Sequence, residues 1–136
     1  MILLILIILL YLDVLSYVKT VQEIEFYMPG SKMFQSYDSA SLRRFINMLK
    51  DLADVFELPT KNIHIFYDNS SSLIAFNRNG ALFFNLNVYI TLHDEKCKNN
   101  PTIDAMAYWF MKLCHELAHN FTRSHNYEHE VSVILS

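Results

Sequence analysis

Glycine is nearly missing from this chain: 136 residues hold two, Gly30 and Gly80, beside three prolines and two cysteines. So little glycine, in a chain that is 52% hydrophobic, excludes a disordered or low-complexity segment and calls for a packed core. Two cysteines exclude a disulfide framework. Cys114, inside an apolar stretch, reads as a small buried hydrophobe, and Cys97, in the polar run Asp94–Asn100, as a surface thiol; both suit a reducing compartment. Positive charge is also scarce. Lys and Arg number 11 against 14 acids, for a net charge of −3, and no basic cluster exceeds Arg43-Arg44. That balance lacks the electrostatic footprint of a nucleic-acid binder, so no nucleic-acid partner is expected.

What is present is organised by periodicity. Val21, Ile24, Phe26 and Met28 alternate loosely and suggest a strand, stopped by the turn signal Pro29-Gly30. Asp38 or Ser39 can cap a helix whose apolar positions Leu42, Phe45, Ile46, Leu49, Leu52, Ala53 and Phe56 share one face, and Pro59 ends it. Ile63–Tyr67 reads as a compact strand in which His64 is a structural histidine. Leu73–Phe76 and Ala81–Leu86 flank Asn79-Gly80, a hairpin cue, and the second strand is expected to continue toward Val88–Thr91. The polar run to Pro101 leads into a last helix, capped by Thr102 or Asp104. Helix, strand, hairpin and helix in that order suit an α+β layer: a small mixed or antiparallel sheet on two main helices. The hairpin would then present an edge strand beside the last helix, where an extended peptide could pair.

That helix carries His115-Glu-Leu-Ala-His119, an HExxH motif, with His125 six positions on. His115 and His119 lie one turn apart, so both imidazoles leave one face, with Glu116 on its flank. Three imidazoles around Zn²⁺ leave a fourth position for water, whose pKa the metal lowers to about 7. Glu116 is then the candidate general base for attack on a carbonyl. The neighbouring Ala105, Met106, Tyr108, Trp109, Leu113, Cys114, Leu117 and Phe121 are apolar, and histidines and a glutamate among them need a partner such as a metal. The third ligand is less determined. In the pattern HExxHxxGxxH a glycine turns the chain back to the metal, and here Thr122 stands at that position. His125 therefore ranks first, His129 second, and Glu128 and Glu130 after them. Tyr127, Arg123 and His129 are the candidates within reach in sequence for stabilising an oxyanion.

The residues Leu-Ala-Asp-Val-Phe56, Ile-His-Ile-Phe-Tyr67, Ile-Ala-Phe-Asn-Arg-Asn-Gly80, Leu-Phe-Phe-Asn85, Ala-Tyr-Trp-Phe110 and Cys-His-Glu-Leu-Ala-His-Asn120 carry a resemblance. From about Leu42 onward the chain is similar to the C-terminal region of fungal sacsin-like giant proteins, which bear an Hsp90-type ATPase fold far upstream. His-Asn-Tyr-Glu-His-Glu130 is similar to a second histidine-bearing segment of those proteins. The resemblance implies a zincin-like α+β domain over residues 19–136, intracellular, with zinc as cofactor. The helix also resembles that of the minimal metalloproteases, which carry Gly-Pro ahead of the third histidine where this chain has Arg123-Ser124. No methionine follows Met111, so the Met-turn of metzincins is absent, and the chain stops eleven residues after His125. A truncated copy or a fragment of a larger protein is the expectation, and chaperone activity does not carry over.

Residues 1–18 stand apart. Ile2–Leu12 is uninterruptedly apolar, and the run resumes after Asp13 to Val18. A secretory signal with a Val14-x-Ser16 cleavage site, a membrane anchor through residues 2–18, and a buried core element all fit it. The expected function is a zinc-dependent metallopeptidase-like hydrolase acting on peptide or protein. The alternatives are a catalytically inactive zinc-binding pseudo-peptidase that serves as an interaction module, and a membrane-tethered accessory protein.

Overall fold

The computed structural model describes residues 2–3 and 14–122, with side chains as far as Asn120. Among the residues from 14 onward that are described, it is an α+β fold in which one mixed sheet of five strands packs on three helices. The strands are β1 (Leu15–Val21), β2 (Ile24–Pro29), β3 (Ile63–Phe66), β4 (Ala75–Arg78) and β5 (Ala81–Asn85). Their order across the sheet is β1-β2-β3-β5-β4. β1 and β4 run antiparallel to their neighbours β2 and β5, while β2, β3 and β5 are mutually parallel. The helices are α1 (Ser39–Val55), α2 (Leu86–Leu92) and α3 (Ile103–Thr122).

The first strand expected from sequence is in fact half of a hairpin. Gln22 and Glu23 sit at φ of 50° and 73°, the left-handed pair that a tight two-residue turn requires. Neither is Asn or Gly, so the turn carries no sequence cue. β1 thereby takes up Leu15–Val18, the last part of the 1–18 segment. Residues 4–13 lie outside the described residues, and among those described no helix is long and apolar enough to cross a membrane.

Asp38 caps α1, its carboxylate accepting from the Ala40 and Ser41 amides. The helix ends well before Pro59, in a paired-bond cap: Leu58 donates to the Ala53 carbonyl and Glu57 to that of Asp54. Glu57 takes φ of 53° there, where glycine is usual. The second expected strand does not extend past Asn85. Asn85 is fully buried and accepts from the Asn87 amide, starting α2 over Leu86–Leu92. Its Nδ2 meanwhile donates to the carbonyls of Ser71 and Leu73. A satisfied asparagine cap thus outweighs the β-propensity of Val88, Tyr89 and Ile90.

Strand alternation divides the sheet. Ile24, Phe26, Ile63, Ile65, Leu82 and Phe84 face the helices, whereas Phe66, Phe76 and Phe83 form a small cluster on the other face. Trp109 of α3 is fully buried among Phe45, whose ring centroid lies 4.8 Å away, and Phe84 at 6.4 Å. Its indole donates to His93 Nδ1 at 3.0 Å, and burial lowers the pKa of His93, keeping that nitrogen an acceptor. Cys97 is buried at 4% exposure in this core, against the expected surface thiol, because a 3-10 turn over Asp94–Cys97 folds the segment inward. Cys114 is only half-buried.

Candidate metal and hydrolase site

Thr102 precedes α3 and caps it, its hydroxyl accepting from the Ala105 amide at 3.1 Å; of the two candidate caps, Thr102 serves. Successive helical residues turn by about 100°. Ala105, Trp109, Leu113, Glu116 and Asn120 therefore fall on one stripe, and the first four are buried. Tyr108, Lys112, His115 and His119 fall on the adjoining flank. On the opposite flank Phe110 stacks on Phe56 beside the end of α1, with centroids 5.3 Å apart. The histidine flank thus points away from α1. The helix is apolar on several sides but is not buried all round: Ile103, Met106 and Met111 are exposed.

The motif residues are not equivalent. Glu116 and His119 are each 4% exposed, whereas His115 is exposed. Glu116 sits on the buried stripe, next in sequence to His115 and one helical turn from His119. Its carboxylate has no ion-pair partner among the described residues, and burial pushes its pKa up to about 7, with Lys112 pulling weakly the other way.

β4 is an edge strand, and α3 lies against it. The contact is pinned by Asn77, which sequence reasoning missed. Asn77 Nδ2 donates to the Glu116 carbonyl at 3.0 Å and to Asn120 Oδ1 at 2.6 Å. Its Oδ1 accepts from the Gly80 amide at 3.0 Å, and Asn79 and Gly80 close the turn at φ of 53° and 90°. One side chain thereby fixes the hairpin to the second turn of the HExxH segment. The available signal was phase: with Phe76 outward, Asn77 is a polar residue at a core-facing strand position and must find partners.

His64 lies on the sheet face away from α3. Its ring stacks on Phe83 with centroids 4.8 Å apart, and its Nδ1 is 3.2 Å from Glu25 Oε1 without the geometry of a hydrogen bond. Burial lowers its pKa, against the pull of Glu25.

Two imidazoles one turn apart and a buried carboxylate are donors of the kind zinc takes. Among the described residues no group of three His, Cys, Asp or Glu closes around a metal position. A zinc site completed by this chain would draw its third donor from beyond Thr122. His125, Glu128, His129 and Glu130, with the oxyanion candidates Arg123 and Tyr127, all lie outside the described residues. Comparison with family models, curated proteins and solved structures returned no match.

Proposed function

We propose that the C-terminal half of α3 is a zinc-dependent hydrolase centre of the metallopeptidase kind, in a zincin-like, sacsin-related domain acting on peptide or protein. The supporting observation is the burial of Glu116 and His119 where α3 meets edge strand β4, with His115 on the same flank as His119. Burying a carboxylate such as that of Glu116 costs several kcal/mol unless it is satisfied or used.

His115 and His119 would hold the ion, completed by His125 or, in its place, His129, Glu128 or Glu130. Zinc held there would supply Lewis-acid polarisation of a carbonyl and acidification of a bound water. The Glu116 carboxylate would be the proton acceptor and would return that proton to the leaving amine. Asn77 holds the Glu116 backbone, so the carboxylate starts from a fixed point. The outer edge of β4 offers main-chain groups to an extended substrate.

The unequal exposure of His115 and His119 favours a second reading, a zinc-binding pseudo-peptidase that serves as an interaction module. Metal content and turnover separate the two. Purified protein should bind about one zinc per chain and cleave denatured protein. Glu116→Gln should abolish cleavage and keep the zinc, and His119→Ala should lose both. Zinc bound with no turnover supports the second reading, and no zinc uptake overturns both.

A further inference from the structure

The tip of the β4–β5 hairpin carries a reactive dipeptide. Of the chain's two glycines, Gly30 follows proline and Gly80 follows Asn79, so Asn79 is its one asparagine with glycine next in sequence. With no Cβ on Gly80, little shields its main-chain nitrogen from the Asn79 side-chain carbonyl one residue back. Asn79 is exposed and lies outside both strands. In an open chain such a pair cyclises. The Gly80 nitrogen bonds to Asn79 Cγ, the Cγ–Nδ2 bond breaks, and the amide nitrogen leaves as ammonia, taking the Gly80 proton. Water then adds to either carbonyl of the cyclic imide, giving aspartate or an isoaspartate whose main chain is one carbon longer.

The folded hairpin opposes that attack at the nucleophile itself. Arg78 pairs with Ala81, and between them Asn79 and Gly80 take φ of 53° and 90°. The Gly80 amide donates to a side chain, Asn77 Oδ1, at 3.0 Å. While that bond holds, the nitrogen keeps the proton that ring closure must remove, and the paired residues on either side fix the torsions of the turn. Asn77 is in turn held by α3, donating to the Glu116 carbonyl and to Asn120 Oδ1.

We infer that Asn79 is a site of spontaneous deamidation that Asn77 holds shut and that opens when β4 separates from α3. Isoaspartate at this position lengthens a two-residue turn and displaces Asn77 from its partners on α3, so the reaction makes the separation irreversible. Asn69-Ser70 is an internal comparison. Asn69 is also exposed, but Ser70 carries a side chain, and its amide donates to Asp68 Oδ1 at 3.0 Å, an anchor independent of α3.

The full-length chain is held in warm neutral buffer, native or in denaturing urea. Peptide mapping by mass spectrometry follows amide-to-acid conversion, and enzymatic methylation reads isoaspartate. Conversion should concentrate at Asn79 and run several-fold slower in the native chain than in urea. Native Asn77→Ala should react several-fold faster than native wild type, the two chains should react equally in urea, and Asn69 should keep its native rate. Where Asn77→Ala does not fold, wild-type protein in sub-denaturing urea carries the test: conversion at Asn79 should rise in step with hydrogen exchange at the Gly80 amide, ahead of global unfolding. Native wild type reacting as fast as in urea, folded Asn77→Ala reacting at the wild-type rate, or Gly80 exchange rising without conversion overturns the inference.

Discussion

Asn77→Ala isolates the joint between hairpin and helix. Asn77 is 6% exposed and makes hydrogen bonds to the Glu116 carbonyl, the Asn120 side chain and the Gly80 amide. Each is worth about 1 kcal/mol net, so truncation should cost about 3 kcal/mol. For a domain of this size that lowers Tm by roughly 10 °C. Urea unfolding followed by circular dichroism measures the cost. A double-mutant cycle with Asn120→Ala apportions it, with an expected coupling of about 1 kcal/mol for the direct bond. A total below about 0.5 kcal/mol, the range of an ordinary surface change, would refute the reasoning. A coupling near zero would show that the hairpin does not rest on α3 through this side chain.

Three further outcomes follow from buried groups and turns. In zinc-free protein, Glu116 moves from its ordinary 4.5 to about 7 on folding. The folded chain therefore binds more protons than the unfolded one between those values, and wild-type stability falls by roughly 3 kcal/mol as pH rises through them. Glu116→Gln should match wild type near pH 4 and exceed it above pH 7; parallel curves would deny the buried carboxylate. Asp94 is 5% exposed and accepts from Arg44 at 2.9 and 3.0 Å and from Ser41 at 2.7 Å. Asp94→Ala should cost about 3 kcal/mol in urea unfolding by stranding Arg44. Burial alone would raise the Asp94 pKa, but Arg44 and Ser41 outweigh it and hold it below 3.8. The stability it contributes is present above that pH and lost as pH falls through the folded value. Finally, Gln22→Asn with Glu23→Gly should raise stability by about 1 kcal/mol, since both positions need positive φ. A fall in Tm would contradict the turn geometry.

Much of the architecture was legible locally. The α1 face, the Asp38 cap, the Ile63–Phe66 strand and the Asn79-Gly80 hairpin each announce themselves through periodicity or turn chemistry within a dozen residues. The misses share one cause. Gln22-Glu23 and Glu57 adopt left-handed backbone without the residues that favour it, and Asn85 starts a helix among strand formers. In each case hydrogen bonding and pairing in the folded chain override a weak residue preference.

The candidate site divides the same way. Sequence by itself determined that His115, Glu116 and His119 ride one helix at metal-ligand spacing, because the helical period follows from covalent geometry. Only the tertiary structure decided that Glu116 turns inward and His115 outward, that β4 is the edge strand beside them, and that Asn77 joins the two. Burial and edge position depend on which elements pack against α3, and no local pattern in the chain encodes that choice.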